Sequence, residues 1–187
     1  SARTVVRYKV DGVTYRRETI TSFTSQVVMV RLTADKPGMI TCNALLTTPH
    51  QDPVIASDGN CVTLSGVSSW HEGLKGKVLF QGRLTATTQG GKVSCQDGTL
   101  SVEGADEAVL YVSIATNFNN YKNIDGNEVE RSKNFLDKAL KRSYADDVKA
   151  HVAYFRQFMD RSSLDLGDDQ IPHLTTDMRV ERFKDTN

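Results

Sequence analysis

The sequence predicts a mainly β protein, a partial antiparallel β-sandwich followed by an α-helical hairpin linker. Short strand-like runs recur from Thr4 to Thr116 with Gly, Pro, Asn and Asp turn signals between them, and no helical period interrupts them. Past Asn127 the apolar period changes from about 2 to about 3.6. A composition of 39% hydrophobic and 25% charged residues over 187 positions is that of a folded globular chain, long enough for one core and an appendage.

The strands follow in order. In TVVRYKV, Val6, Tyr8 and Val10 share one face and Arg7 and Lys9 the other, and Asp11-Gly12 turns the chain into VTYRRETI, giving a hairpin with one wet face. QVVMVRLTA is apolar on both faces, Val28, Val30 and Leu32 against Val27 and Met29, as in a strand covered on both sides. Asp35-Lys36-Pro37-Gly38 ends it, since Pro presets one central turn angle and Gly tolerates a positive φ. MITCNALLTT comes next, and TPHQDPVIASDGN reads as a long connection. NCVTLSG, KVLFQGRLTATTQ, KVSCQDG, TLSVEG and EAVLYVSIAT complete about nine strands. In the second of these, Val78, Phe80, Leu84 and Ala86 alternate with Lys77, Gln81, Arg83 and Thr85.

EVERSKNFLDKALKR then turns Val129, Leu136, Ala139 and Leu140 to one helix face and offers an exposed Asp137 to Lys141 pair at i, i+4. Ser143-Tyr144-Ala145-Asp146 has the form of a capping box with Asp in place of Glu, and Val148, Val152, Phe155 and Met159 follow at helical spacing. Helices of about 15 residues hold mainly by burying an apolar face, so the pair docks on the sandwich or on something beyond it. The tail SSLDLGDDQIPHLTTDMRVERFKDTN shows little periodicity. Domain boundaries therefore fall at 1–117 for the sandwich and 118–187 for the helical linker.

Lys plus Arg and Asp plus Glu both total 23, which removes any long-range field that would steer nucleic acid or an anionic membrane toward the chain. No stretch nears the roughly 20 apolar residues of a membrane span. SARTVVRYKV lacks the form of a signal peptide, so either the protein is cytosolic or its leader lies outside this sequence. Cys42, Cys61 and Cys95 are too scattered for a zinc site or a disulfide scaffold and read as buried thiols, the other arrangement being one disulfide with a thiol left over.

The densest polar chemistry lies in TNFNNYKNIDGN, residues 116–127. Amides beside Phe118 and Tyr121 suit sugar hydroxyls and sugar faces, which makes Asn117, Asn119, Asn120 and Tyr121 the candidate glycan or interdomain contacts. The same Asn, Asp and Gly residues also suit a strand-to-helix corner. A calcium loop built around Gly126 would place its first and last ligands at Tyr121 and Ser132, where neither fits, so no metal site is assigned. Trp70-His71-Glu72-Gly73 reads as a turn, because strand neighbours point to opposite faces and no nucleophile or second carboxylate accompanies them. His50, His151 and His173 belong to no two-ligand motif, and His151, beside Val148 and Val152, reads as an interface histidine. No nucleophile elbow surrounds Ser68-Ser69 or Ser162-Ser163, Gly90-Gly91 opens no helix to cradle a phosphate, and no cofactor is expected.

The runs YRRETITSFTSQVVMVRLTADKPGMI, HEGLKGKVLFQGRL, GGKVSCQDGTLSVEGADEAVLYVSIATNFNNYKN and SYADDVKAHVAYFRQFMDRSSLDLG with LTTDMRVERF, in that order, closely resemble the amino-terminal region of glycoside hydrolase family 95. The resemblance runs over nearly the whole chain. That family is known for α-L-fucosidases, especially those cutting α-1,2-linked fucose, with some members acting on α-L-galactosides. Its proteins carry an amino-terminal β-sandwich, a helical linker, an (α/α)6 barrel with the active site, and a further β domain. The resemblance implies the later part of that sandwich plus the linker of a bacterial enzyme, periplasmic or secreted, whose barrel is the chain's own partner and whose substrate is a glycan. Inversion in this family is assigned to a Glu acid and a water activated by Asn and Asp, all in the barrel. None of those motifs has a position here, so no catalytic residue is carried over and the chain alone is expected to be inactive. The alternatives are a stand-alone carbohydrate-binding module, or an enzyme of similar layout acting on α-L-galactosides or maltose-type glucosides. A sandwich short of its early strands, and helices without their barrel, would bare apolar faces and sheet edges, so self-association is expected.

Overall fold

The structure is a computed structural model and describes residues 2–165 and 174–184; His173 lies outside them. The described strands are β1 (Thr4–Val10), β2 (Val13–Ser22), β3 (Val27–Ala34), β4 (Ile40–Leu45), β5 (Val54–Asp58), β6 (Cys61–Val67), β7 (Leu79–Gln89), β8 (Lys92–Gln96), β9 (Thr99–Ala105) and β10 (Glu107–Thr116). The described helices are α1 (Glu128–Leu140), α2 (Tyr144–Met159) and α3 (Thr176–Lys184). Every strand pair is antiparallel: a seven-stranded sheet ordered β1-β2-β3-β10-β7-β6-β5 faces a three-stranded sheet ordered β4-β9-β8. The mainly β sandwich followed by helices is thus what the chain forms.

Side-chain alternation decides what each face of the large sheet meets. Toward the small sheet, Val62, Leu84 and Leu110 close over Leu100, and Ala108 packs with Ile40 and Val102. Toward the helices, Ile20, Val27, Met29, Val109 and Tyr111 meet Leu136 and Ala139 of α1. β3 is apolar on both faces for this reason, Val27 and Met29 serving the helices and Val30 and Leu32 the small sheet.

Several elements differ from the sequence reading. β5 forms inside the segment read as a connection and pairs with β6 from Val54 opposite Ser65 to Asp58 opposite Cys61. As an outer edge strand it is exposed along its length, so it shows neither alternation nor an apolar run. β1 is likewise exposed throughout. It has β2 as its main neighbour, which leaves Val6, Tyr8 and Val10 uncovered, Tyr8 stacking on Tyr15 with ring centroids 5.3 Å apart. The polar face of β7 is buried as well as its apolar one, because α1 lies against it through Gln81 and Arg83.

That polar floor rotates α1 away from its expected orientation. Its buried stripe is Ser132, Leu136 and Ala139, while Val129 and Leu140 remain exposed. Ser132 Oγ donates to Gln81 Oε1 at 3.0 Å and accepts from Arg83 Nε at 3.3 Å, and Ser113 Oγ donates to the Ser132 carbonyl at 2.8 Å. The surface ion pair is Lys133 with Asp137 at 2.6 Å, one turn earlier than the Asp137 to Lys141 pair expected.

α2 starts where the capping signal put it. Ser143 Oγ accepts from the Asp146 N–H at 3.1 Å and lies 2.7 Å from Asp146 Oδ2. Its buried face, however, is Asp147 and His151 with Tyr144 and Val148 partly covered, whereas Met159 is exposed. Asp147 is fully buried; its Oδ1 accepts from Ser25 Oγ at 2.6 Å and Ser22 Oγ at 3.1 Å, and Arg142 Nε stands 3.4 Å from Oδ2. His151 is an interface residue, its Nε2 2.8 Å from the Ala2 carbonyl. α3 forms in the tail despite its weak pattern, opening with the Arg179 N–H donating to the Thr175 carbonyl at 3.0 Å. Its apolar residues Met178, Val180 and Phe183 stand two and three apart, which draws no single stripe.

Candidate functional site

Residues 116–127 form the corner where β10 hands over to α1. Asn117 is only 6% exposed. Its Oδ1 accepts the Leu79 N–H at 2.9 Å, its own N–H donates to the Leu79 carbonyl at 3.1 Å, and its carbonyl accepts the Gly126 N–H at 2.9 Å. The amide therefore extends the β10 to β7 pairing past the end of the strand. Beyond it, Asn120 and Asn123 exchange backbone bonds at 3.1 and 3.0 Å, and Asn119 Nδ2 donates to Asn123 Oδ1. Asn120 Oδ1 accepts the Lys122 N–H at 2.9 Å. Asn127 caps α1, its Oδ1 accepting the Glu130 N–H at 2.9 Å.

One side chain outside the cluster holds it together. Arg131, in the first turns of α1, donates through Nη1 to the Thr116 and Phe118 carbonyls at 2.9 and 3.0 Å, and through Nη2 to Asn119 Oδ1. A Cβ on Gly126 would lie 2.7 Å from both Arg131 Cζ and the Asn117 carbonyl oxygen, so close approach explains the glycine there. Of the four candidate contacts, Asn117, Asn119 and Asn120 use their side-chain oxygens within the corner, only Asn117 being buried, and Tyr121 stands furthest into solvent, 85% exposed with Lys122 Nζ 5.3 Å from its ring centroid.

The same end of the sandwich carries the loops after β4 and β6. His71 and Leu74 exchange backbone bonds at 3.0 and 2.9 Å, so Trp70-His71-Glu72-Gly73 is the turn its sequence indicated. His50 Nδ1 accepts the Ser69 N–H at 3.1 Å, tying the two loops, and its ring packs on Phe80 with centroids 5.1 Å apart. Beside this contact lies an apolar hollow of about 370 Å³ floored by Leu46, Leu64, Phe80, Gly82 and Ile114. Among the described residues no group of three or more His, Cys, Asp and Glu converges as a metal site would. Cys42, Cys61 and Cys95 are free and half-buried rather than fully buried; burial pushes each thiol up, which keeps them protonated and unreactive at neutral pH.

No local signal marks Arg131 among the charged residues of its helix, or distinguishes Asp147 from Asp146 beside it in the first turn of α2. The meeting of the two loops is likewise invisible in the sequence, because their contacts are long-range in the chain.

Comparison with known proteins matches residues 1–121 to the family model of the glycosyl hydrolase family 65 N-terminal domain. Alpha-L-fucosidase 2 of Arabidopsis thaliana is 26% identical over 188 residues, which covers 86% of this chain and 22% of that protein. Among solved structures, "Putative kojibiose phosphorylase from human microbiome" superposes with a TM-score of 0.51 at 13% identity, over 83% of this chain and 23% of that one, a likeness of fold. The chain thus spans less than a quarter of the length of either protein.

Proposed function

The chain belongs to the family of glycosyl hydrolase family 65 N-terminal domains, and we propose that it serves as the non-catalytic amino-terminal part of an α-L-fucosidase, supporting a catalytic barrel elsewhere in the same polypeptide. The match falls on family 65, not on family 95; the fucosidase assignment draws its support from the 26% identity to the plant enzyme across 86% of the chain. The observation that carries the scaffolding role is a two-sided helical pair. α1 and α2 dock on the sheet by one face, yet Val129, Leu140, Phe158 and Met159 stay exposed on the rest of their surface, as helices between two bodies would. β1, uncovered along its length, is a second surface of this kind, and on it the separate chain self-associates, which light scattering across a dilution series tests.

The test compares the 187-residue chain with the full-length protein on α-1,2-fucosylated oligosaccharides. The full-length protein releases fucose and the chain alone releases none; fucose release by the chain alone overturns the proposal. A second reading, favoured by the family 65 match, gives the parent an α-glucoside such as kojibiose, and glucose or glucose phosphate from the full-length protein in place of fucose would establish it. The fucosidase reading also puts the parent outside the cytoplasm, periplasmic or secreted, which fractionation of expressing cells checks.

A further inference from the structure

The loop after β4 and the loop after β6 enclose a second cavity of about 320 Å³, lined by Gln51, Asp52, Ser69, Trp70 and Lys75 among others. Trp70 is the chain's only tryptophan and is 63% exposed. An indole left in water forgoes one of the largest hydrophobic gains available to a side chain, a gain that a ligand stacking on it would recover.

The backbone around it is held firmly. The Ser68 N–H donates to the Val78 carbonyl at 2.8 Å, and the Val78 N–H donates back to Ser68 Oγ at 3.2 Å. The Ser69 N–H is bound by His50 Nδ1 from the opposite loop. Immediately after Trp70 comes the two-residue turn in which Glu72 and Gly73 take φ values of 49° and 79°, closed by the paired His71 and Leu74 bonds. The indole is therefore presented by a preorganised frame, which lowers the ordering cost of binding.

The lining selects a ligand class. One amide, one carboxylate and one ammonium supply donors and acceptors whose formal charges cancel. An apolar ligand would strip water from Gln51, Asp52 and Lys75 without replacing its hydrogen bonds, and a strongly charged one would meet a like charge. A molecule with a C–H face for the indole and an edge of hydroxyls that both donate and accept satisfies all of them. A pyranose has that form, and the cavity lies in the size range of small-ligand sites.

We propose that this cavity binds a neutral mono- or disaccharide unit, with Trp70 as the stacking platform and Gln51, Asp52 and Lys75 as hydroxyl partners. It is separate from the 116–127 corner, and it holds a part of the glycan other than the bond that the parent cleaves. The sugar class rests on the glycoside hydrolase reading, whereas the place and the residues rest on geometry.

Because Trp70 is the only tryptophan, fluorescence of the 187-residue chain excited at the red edge, where its six tyrosines do not absorb, reports on the surroundings of this indole. Titration with fucosyllactose, and separately with lactose, is expected to give a saturable fluorescence change with at least one of them, matched by saturation-transfer NMR signals on the sugar C–H protons. Trp70→Ala, followed by NMR, and Asp52→Ala each weaken binding about tenfold, the size of losing one aromatic or charged anchor. Trp70→Tyr keeps most of the affinity, and Tyr121→Ala leaves it unchanged. The proposal is overturned if neither sugar changes the fluorescence up to its solubility, if Trp70→Ala binds as well as the parent chain, or if Tyr121→Ala abolishes binding. A negative titration leaves the fucose-release comparison of the full-length protein standing, and a negative release assay leaves the binding isotherm standing.

Discussion

On one face of the seven-stranded sheet Leu84 and Leu110 close over Leu100; on the other, the helices bury Ile20, Met29 and Tyr111 and also settle onto Glu18, Gln81, Arg83 and Ser113, all buried. The first contact is non-directional. It gains by area and tolerates small shifts of one sheet over the other. The second is directional, because each buried polar group must find its partner or cost about 1 to 3 kcal/mol. The partners are specific: Arg31 reaches Glu107 through Nε and Nη2 at 2.9 and 2.5 Å, stands 3.5 Å from Glu18, and lies 5.4 Å from the ring centroid of Tyr144 of α2. Arg16 completes the enclosure of Glu18. Apolar burial thus acts on both faces, and on the helix face a polar code is added that fixes where the helices sit.

Four perturbations separate the two faces. Leu100→Ala, at a site with no exposure, should cost about 3 kcal/mol and lower the melting temperature of the whole molecule, since the cavity opens between the sheets. Asp147→Ala should cost about 2 kcal/mol, less than the loss of a fully buried ion pair because Arg142 is partly solvated. Its signature is local: hydrogen exchange should speed in α2 while the amides of β3 and β10 stay protected. Equal loss of protection in both would refute the division. Asn127→Ala removes the α1 cap and should cost about 1 kcal/mol, confined to the first turn of that helix.

The smallest effect is a pH dependence. Burial pushes the hydroxyls of Tyr111 and Tyr144 above the ordinary 10.0, and both residues lie on the helix face. Their folded values exceed the unfolded one, so the stability they contribute is complete below pH 10.0 and is lost as pH rises through the folded values. A Tyr111→Phe, Tyr144→Phe double variant should flatten the alkaline fall in melting temperature. At neutral pH Tyr144→Phe alone should raise stability by about 1 kcal/mol, because the Tyr144 hydroxyl is buried without a hydrogen-bond partner and its removal ends that desolvation cost.

What was legible in the chain follows the same division. QVVMVRLTA announced a strand covered on both sides, and Ser143 with Asp146 announced a helix start, because apolar runs and caps are local signals. The polar face was not legible. Ser132 at the start of a buried stripe and Asp147 on the packed side of α2 carry no local sign of burial, because Gln81, Arg83 and Ser22 of the sheet and Ser25 of the β2–β3 turn reach them from far along the chain. Edge strands were the other gap: β5 has no buried face, and β1 has the alternation of a half-buried strand without the cover. At the candidate site, the turn chemistry of residues 116–127 was readable, while the arginine that organises it and the cavity beside Trp70 arise from contacts between distant segments.

The corner at Arg131 also has a mechanical meaning. Tension along α1 would reach the Arg131 bonds to Thr116, Phe118 and Asn119 together with the Ser132 bond to Gln81, so they would be strained in parallel and not opened in succession. The strands that receive this pull are β7, through Gln81, and β10, through Thr116, and β10 has three strands on either side of it in the sheet. A force entering through the helix is therefore divided at once between β10 and β7, which pair from Glu107 opposite Gln89 to Thr116 opposite Phe80.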